Sequence, residues 1–181
     1  MKKIRIFALG LGILATAIVI VGSFLPREWD VMVSTTSQTA KPDLVFANIS
    51  DFKNWNSWAV WKDADPEYNA EFSEPSFGVG AWQKWNSPKS GKGQLWITQS
   101  DSKMGIQYEG AIESGEKRNA QGRIQFSNLP SGGIEIVWAD KGTLPPIIGG
   151  LLRPLVQKSL TEHFKKSIDR LAEISSVEPL K

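Results

Sequence analysis

The feature that most limits what this chain can fold into is a set of three tryptophans at three-residue spacing, Trp55, Trp58 and Trp61. They follow an amphipathic run over residues 44–52, whose apolar side chains recur with helical spacing. Ser50 and Asp51 have the side chains of a helix N-cap, so two short helices joined at a corner are predicted. Few folds place so much aromatic surface on a short helical corner.

Two further features accompany this corner: a glycine-rich turn, Gly78 to Ala81, that precedes Trp85, and a long helical pattern at the end of the chain. The residues of the corner that matter for comparison are Phe46, Ile49, Asp51, Trp55, Trp58 and Trp61. Together these motifs resemble the polyketide cyclase/dehydrase and lipid-transport group of the START-like (SRPBCC) superfamily, over about residues 29–175. The resemblance implies a helix-grip fold, in which a curved antiparallel sheet wraps a long C-terminal helix around an apolar cavity.

The charge distribution separates the first 28 residues from the rest. The formal net charge of the chain is +2, but residues 29–181 contain 17 basic and 18 acidic residues. A neutral domain argues against a nucleic-acid-binding surface. The chain has no cysteine, which excludes disulfides, thiolate zinc sites and a cysteine nucleophile.

Residues 6–25 form an uncharged apolar run of 20 residues. As a helix this run would rise about 30 Å, the thickness of a bilayer core. Basic residues precede it, which places the N-terminus in the cytoplasm and the domain on the periplasmic or extracellular side. A cleaved signal peptide is the alternative, although its apolar core is usually shorter. We therefore predict a single-pass membrane anchor over residues 1–28, a ligand-binding domain over 29–175 and a tail over 176–181.

The rest of the chain predicts an α+β fold. A first strand is expected over residues 29–37, and five turn-bounded strands are expected over residues 81–86, 93–100, 105–112, 118–126 and 133–139. Short connections of this kind join antiparallel neighbours. A final helix with one apolar stripe is expected over residues 154–174.

Residues 142–152, between the last strand and the last helix, are more apolar than a solvent-exposed loop requires. They fit a mobile lid at the mouth of a cavity or simply the first turn of the helix, and the sequence leaves both open. Asp63, Asp65 and Glu67 alternate after the tryptophans, and a solvated turn is the interpretation we favour.

The sequence offers little for catalysis. His163 is the only histidine, and it has serines one turn away but no acidic partner at a suitable spacing. One histidine without cysteine leaves no ligand set for a metal site, and no cofactor is predicted. We therefore assign no catalytic residue.

The tryptophans either fill a core or line a cavity, and their number favours a lining role for some of them. The candidate cavity residues are Trp58, Trp61, Trp82, Trp96, Tyr108, Trp138 and Phe164. With the resemblance, they predict binding of a small hydrophobic or lipid-like ligand. The alternatives are a cyclase- or dehydratase-type enzyme that uses polar groups such as Tyr108 or His163, and a protein-interaction module whose cavity is filled by its own tryptophans. The ligand's identity and the oligomeric state are not encoded in these patterns.

Overall fold

A computed structural model describes residues 10, 12, 16–113, 117–146 and 148–176 of the chain. Its helices are α1 (16–24), α2 (Pro42–Ser50), α3 (Trp55–Trp58), α4 (Trp61–Ala64) and α5 (Ile148–Ile174). Its strands are β1 (Glu28–Ser37), β2 (Ala70–Phe72), β3 (Trp82–Ser87), β4 (Gly91–Asp101), β5 (Gly105–Ile112), β6 (Ala120–Asn128) and β7 (Ile134–Thr143).

The seven strands form one antiparallel sheet in the order β1-β7-β6-β5-β4-β3-β2. The long helix α5 packs along β1 and β7, and α2 packs against β5 and β6. The core therefore lies between the inner face of the curved sheet and the helices. This confirms the predicted α+β arrangement of an antiparallel sheet closed by a C-terminal helix.

The aromatic corner is built from three short helices rather than the two predicted. Asp51 does not cap the start of a helix; it ends α2, and its Oδ1 accepts hydrogen bonds from Lys53 N and Ser76 Oγ. The last four carbonyl groups of a helix lack partners within the helix. In α2 the donors to these carbonyls are Asn54 Nδ2 (to Ala47 O), Trp58 Nε1 (to Asn48 O), Trp55 Nε1 (to Ile49 O) and Gly78 N (to Ser50 O). Two of the three tryptophans thus fix the end of the preceding helix.

The predicted single-pass membrane localisation is wrong. Residues 16–24 are helical, and so are Gly10 and Gly12 before them. Among the described residues, no helix has the combined length and apolar character that a membrane crossing requires. Residues 1–9, 11 and 13–15 lie outside the described part. The end of α1 contacts α5, since a Cβ on Gly150 would lie 2.5 Å from Leu25 Cβ.

Helix α5 begins at Ile148, six residues before the predicted start at Pro154. Pro154 lies inside the helix, where it removes one backbone hydrogen bond. Residues 148–152 are therefore helical. Of the two interpretations of this segment, the structure agrees with the first turn of the final helix. Ile147 lies outside the described residues.

Candidate functional site

Five of the seven candidate residues meet between the sheet and α5: Trp58, Trp61, Tyr108, Trp138 and Phe164. Trp138 of β7 is at their centre, and its ring stacks on that of Phe164 from α5 with centroids 4.0 Å apart. The rings of Trp58 and Trp61 meet Trp138 edge-on at 5.6 and 6.2 Å. We call these five residues, together with Trp55, the aromatic cluster.

Trp55 belongs to this cluster although it was not among the cavity candidates. Its side chain is buried, as is that of Trp58, which confirms the predicted burial of the first two tryptophans of the corner. The Trp55 ring contacts the rings of Trp138 at 5.6 Å and Tyr108 at 6.0 Å. The corner therefore contacts both β5, through Tyr108, and β7, through Trp138.

Trp82 and Trp96 do not line this interior, which corrects their assignment as cavity residues. Leu95 and Ile97 point into the core, so Trp96 between them points to the outer face of the sheet. Trp82 is the cross-strand partner of Trp96 on the same face, and the guanidinium of Arg118 lies 4.9 Å from the Trp96 ring centroid. The sequence could not separate the two faces because both faces of β4 carry apolar residues.

A buried carboxylate, Asp140, lies next to the aromatic cluster and was missed by the sequence analysis. Its Oδ1 accepts a hydrogen bond from Trp29 Nε1 and its Oδ2 accepts one from Tyr108 OH, both at 2.7 Å. Tyr108 OH in turn accepts a hydrogen bond from Trp138 Nε1 at 2.8 Å. The alternation of β7, in which Ile136 and Trp138 face inward, could have placed Asp140 on the same face.

Burial decides the ionisation of this pair. Burial raises the pKa of Asp140 to about 6, against the opposing effect of the hydrogen bonds from Trp29 and Tyr108. Burial, and then the nearby Asp140, raise the pKa of Tyr108 well above its ordinary value. Tyr108 is therefore a neutral hydrogen-bond donor at physiological pH, and Asp140 changes charge in a range where enzymes and binding sites operate.

Gly122 leaves room for the hydrogen bond between Tyr108 and Asp140. It lies on β6 between Tyr108 of β5 and Asp140 of β7 in one cross-strand row. A Cβ on Gly122 would lie 2.2 Å from Tyr108 OH and 2.7 Å from Asp140 Oδ2, closer than any real contact. The absence of a side chain at this position lets the hydroxyl reach the carboxylate across the intervening strand.

The accessible side of the aromatic cluster lies under the first half of α5. Trp61 is half-buried, and its ring meets those of Phe164 and His163 at 6.1 and 6.3 Å. Residues 151–163 of α5 are all exposed or half-buried, whereas Phe164 and the stripe after it are buried. His163 Nδ1 lies 3.5 Å from Ser159 Oγ at this edge.

The space inside the cluster is occupied by the rings themselves. Three open grooves of about 440, 260 and 510 Å³ are lined by described residues. The first two run past the outward-facing side chains of Asp30, Glu109 and Lys141, and the third lies along exposed residues of α5. None of these three grooves lies between the sheet and α5.

No family model matches the sequence, and no curated protein matches it significantly. Solved structures do match: hypothetical protein jhp0584 from Helicobacter pylori has 10% identity and a TM-score of 0.61, over 81% of this chain and 87% of that one. Ara h 8.0201 has 12% identity and a TM-score of 0.54, over 82% and 97%. The di-domain ARO/CYC StfQ of the steffimycin biosynthetic pathway has 11% identity and a TM-score of 0.60, over 82% and 51%.

This chain has a helix-grip-like fold. At 10–12% identity the likeness extends to the fold alone, and it agrees with the START-like resemblance of the sequence motifs. Within the helix-grip-like fold of this chain, the interior between sheet and α5 is the place where the aromatic cluster and the Asp140–Tyr108 pair meet.

Proposed function

We propose that the domain of residues 29–175 binds a small hydrophobic or lipid-like molecule between the sheet and α5. The observation that carries this proposal is the hydrogen-bonded Asp140–Tyr108 pair next to the aromatic rings of an apolar core. Ligand sites typically combine an apolar lining with a few buried polar groups that orient the ligand. A buried carboxylate is costly to folding, which favours a role in recognition over one in packing.

Ligand access in this proposal involves Trp61. Its ring is half-buried and contacts the cluster through edges, while the central Trp138 and Phe164 rings are stacked and buried. Displacing a half-buried indole exposes only part of its apolar surface, at a cost of about 1–2 kcal/mol. The exposed first half of α5 above it leaves room for this ring to move outward.

The test uses 1-anilinonaphthalene-8-sulfonate, an aromatic probe whose fluorescence increases in apolar sites. Trp61→Ala removes the ring that must be displaced, so the variant should bind the probe about tenfold more tightly than the wild type, the equivalent of about 1.4 kcal/mol. Trp82→Ala, which removes a half-buried indole from the outer face, is the matched control and should leave the affinity unchanged. Equal affinities in all three proteins, or a gain only in Trp82→Ala, would contradict binding in the aromatic interior.

A second candidate, an enzyme of the cyclase or dehydratase type, is favoured by the pKa of Asp140 of about 6. A group that titrates near the working pH is suited to general acid–base catalysis, and Tyr108, which stays neutral, orients this carboxyl by a hydrogen bond. If a ligand of this site is turned over, Asp140→Asn should reduce the rate by about 10²–10⁴-fold. His163→Ala should leave most of the rate, because His163 lies at the edge of the cluster with Ser159 as its hydrogen-bonding neighbour. The reverse pattern would assign the chemistry to the histidine.

A further inference from the structure

The two edges of the sheet differ greatly in length. One edge is β2, with three residues, and the other is β1, with ten. An edge strand presents unpaired backbone groups that can accept another strand. A long, regular edge offers many such groups in a row, whereas a three-residue edge offers few.

The register of β1 shows which backbone groups point away from the sheet. Leu144 N donates to Arg27 O in line with the β1–β7 pairing, so the odd-numbered residues of β1 are bonded to β7. The even-numbered residues then point outward, and Glu28 O does accept a hydrogen bond from Arg153 Nε outside the sheet. The remaining outward residues are Asp30, Met32, Ser34 and Thr36. In the described part of the chain, the backbone N–H and C=O groups of these four have no hydrogen-bond partner.

Apart from the charge of Asp30, nothing in residues 30–36 protects this edge from pairing. The strand contains no proline or lysine, and its register with β7 is continuous without a bulge. These are the devices by which edge strands usually avoid association. The Met32 side chain beside the edge is 61% exposed. The edge of residues 30–36 is therefore a surface suited to an extended strand.

We propose that the occupant of this edge is β1 of a second copy of the chain, paired antiparallel about a twofold axis at Val33. The free stretch is symmetric about Val33, so each outward residue meets another outward residue: Asp30 lies opposite Thr36, and Met32 opposite Ser34. Four hydrogen-bonded residue pairs with two bonds each give about eight intermolecular hydrogen bonds. No like charges oppose each other, which favours this pairing.

Other antiparallel registers fit the edge less well. Moving the axis to Met32 would bring in Glu28, whose carbonyl oxygen is already bonded to Arg153. The Val33-centred register uses every free group of the edge and no occupied one. Asp30 is flanked within its own sheet by Lys141, its register partner on β7, so the edge carries no isolated charge that would oppose a second copy.

The first test measures the mass of the full-length chain by light scattering over about a hundredfold range of concentration. The wild type should reach twice the monomer mass. Ser34→Pro removes an N–H that points to the free edge and leaves the β1–β7 bonds intact, so it should be monomeric. Ser34→Val keeps the N–H and should dimerise. A wild type that stays monomeric, or a dimer that Ser34→Pro leaves unchanged, would overturn the proposal.

The second test fixes the register and does not depend on a proline variant that folds. The chain has no cysteine, so Val33→Cys introduces a single thiol at the twofold axis. Opposed residues of a non-hydrogen-bonded pair have Cα atoms about 4.5 Å apart, within the range that a disulfide spans. Mild oxidation should therefore crosslink Val33→Cys into a covalent dimer and Thr35→Cys, the control on the same face, much less. Equal crosslinking of both variants, or none in either, would contradict this register.

Discussion

Trp55→Ala should lower the free energy of unfolding by about 3–5 kcal/mol, the usual range for truncation of a buried large aromatic residue. Its side chain is 1% exposed and lies against the rings of Phe52, Trp58, Tyr108 and Trp138. The substitution also leaves Ile49 O at the end of α2 without its indole donor. Chemical denaturation followed by circular dichroism measures the change.

Trp96→Ala is the matched control for this prediction. It removes the same side chain from the outer face of the sheet, where Trp96 is half-buried and its contact is Arg118. We expect a loss of about 1 kcal/mol, the typical value for a substitution that opens no internal cavity. An unchanged midpoint for Trp55→Ala, or equal losses for the two variants, would show that the aromatic cluster does not hold the corner to the sheet.

The second large effect is on the pH dependence of stability through Asp140. In the folded state this carboxyl keeps its proton up to about pH 6, whereas in the unfolded chain it loses the proton near pH 4. The folded state therefore binds more protons between about pH 4 and 6, and stability falls as the pH rises through this window. At about 1.4 kcal/mol for each pKa unit, the loss is about 2–3 kcal/mol.

Asp140→Asn should remove this loss, so the difference in unfolding free energy between variant and wild type should change by about 2–3 kcal/mol between pH 4 and 7. The difference is the quantity to measure, because Asp65 acts in the opposite sense. The hydrogen bond from Ser87 holds the pKa of Asp65 at about 2, and its contribution is lost only as the pH falls toward that value. Asp43→Asn, an exposed carboxylate in α2, is the control. A difference that does not vary with pH for Asp140→Asn would mean that this carboxyl is ionised throughout.

The sequence predicts the fold well where one face of an element is clearly apolar. The bounds predicted for β5, residues 105–112, are those observed. The apolar stripe predicted for the final helix is buried at Phe164, Ile168 and Leu171. The alternation of β7 placed Trp138 on the same face as Ile134 and Ile136, and all three side chains are buried.

The predictions that failed depended on context that local patterns do not contain. Trp82 and Trp96 were placed in the cavity because both faces of β4 carry apolar residues, and only the pairing with β3 and β5 distinguishes the faces. The membrane anchor was predicted from the hydropathy and length of residues 6–25, and no helix among the described residues meets both requirements.

Buried polar residues also depend on partners that local sequence patterns do not reveal. Asp65 was expected in a solvated turn, yet it is 1% exposed and accepts hydrogen bonds from Ser87 Oγ, Lys89 N and Ser90 N of the β3–β4 turn. For Asp140 the alternation of β7 is the only local sign of burial. The hydrogen bonds from Ser87, Lys89 and Ser90 to Asp65, like those to Asp140, come from residues more than 20 positions away, so the pairing that makes burial tolerable depends on the sheet.

The most direct test of ligand binding in the aromatic interior uses the tryptophans as reporters. Each of the eight indole N–H groups gives its own signal in a ¹H–¹⁵N correlation spectrum, and single Trp→Phe variants assign them. During titration with 1-anilinonaphthalene-8-sulfonate, the signals of Trp61 and Trp138 should shift together and saturate, while those of Trp82 and Trp96 on the outer face should stay in place. Shifts confined to Trp82 and Trp96 would show that the probe binds to the outside of the sheet, and an unchanged spectrum would show that the aromatic interior is closed to ligands.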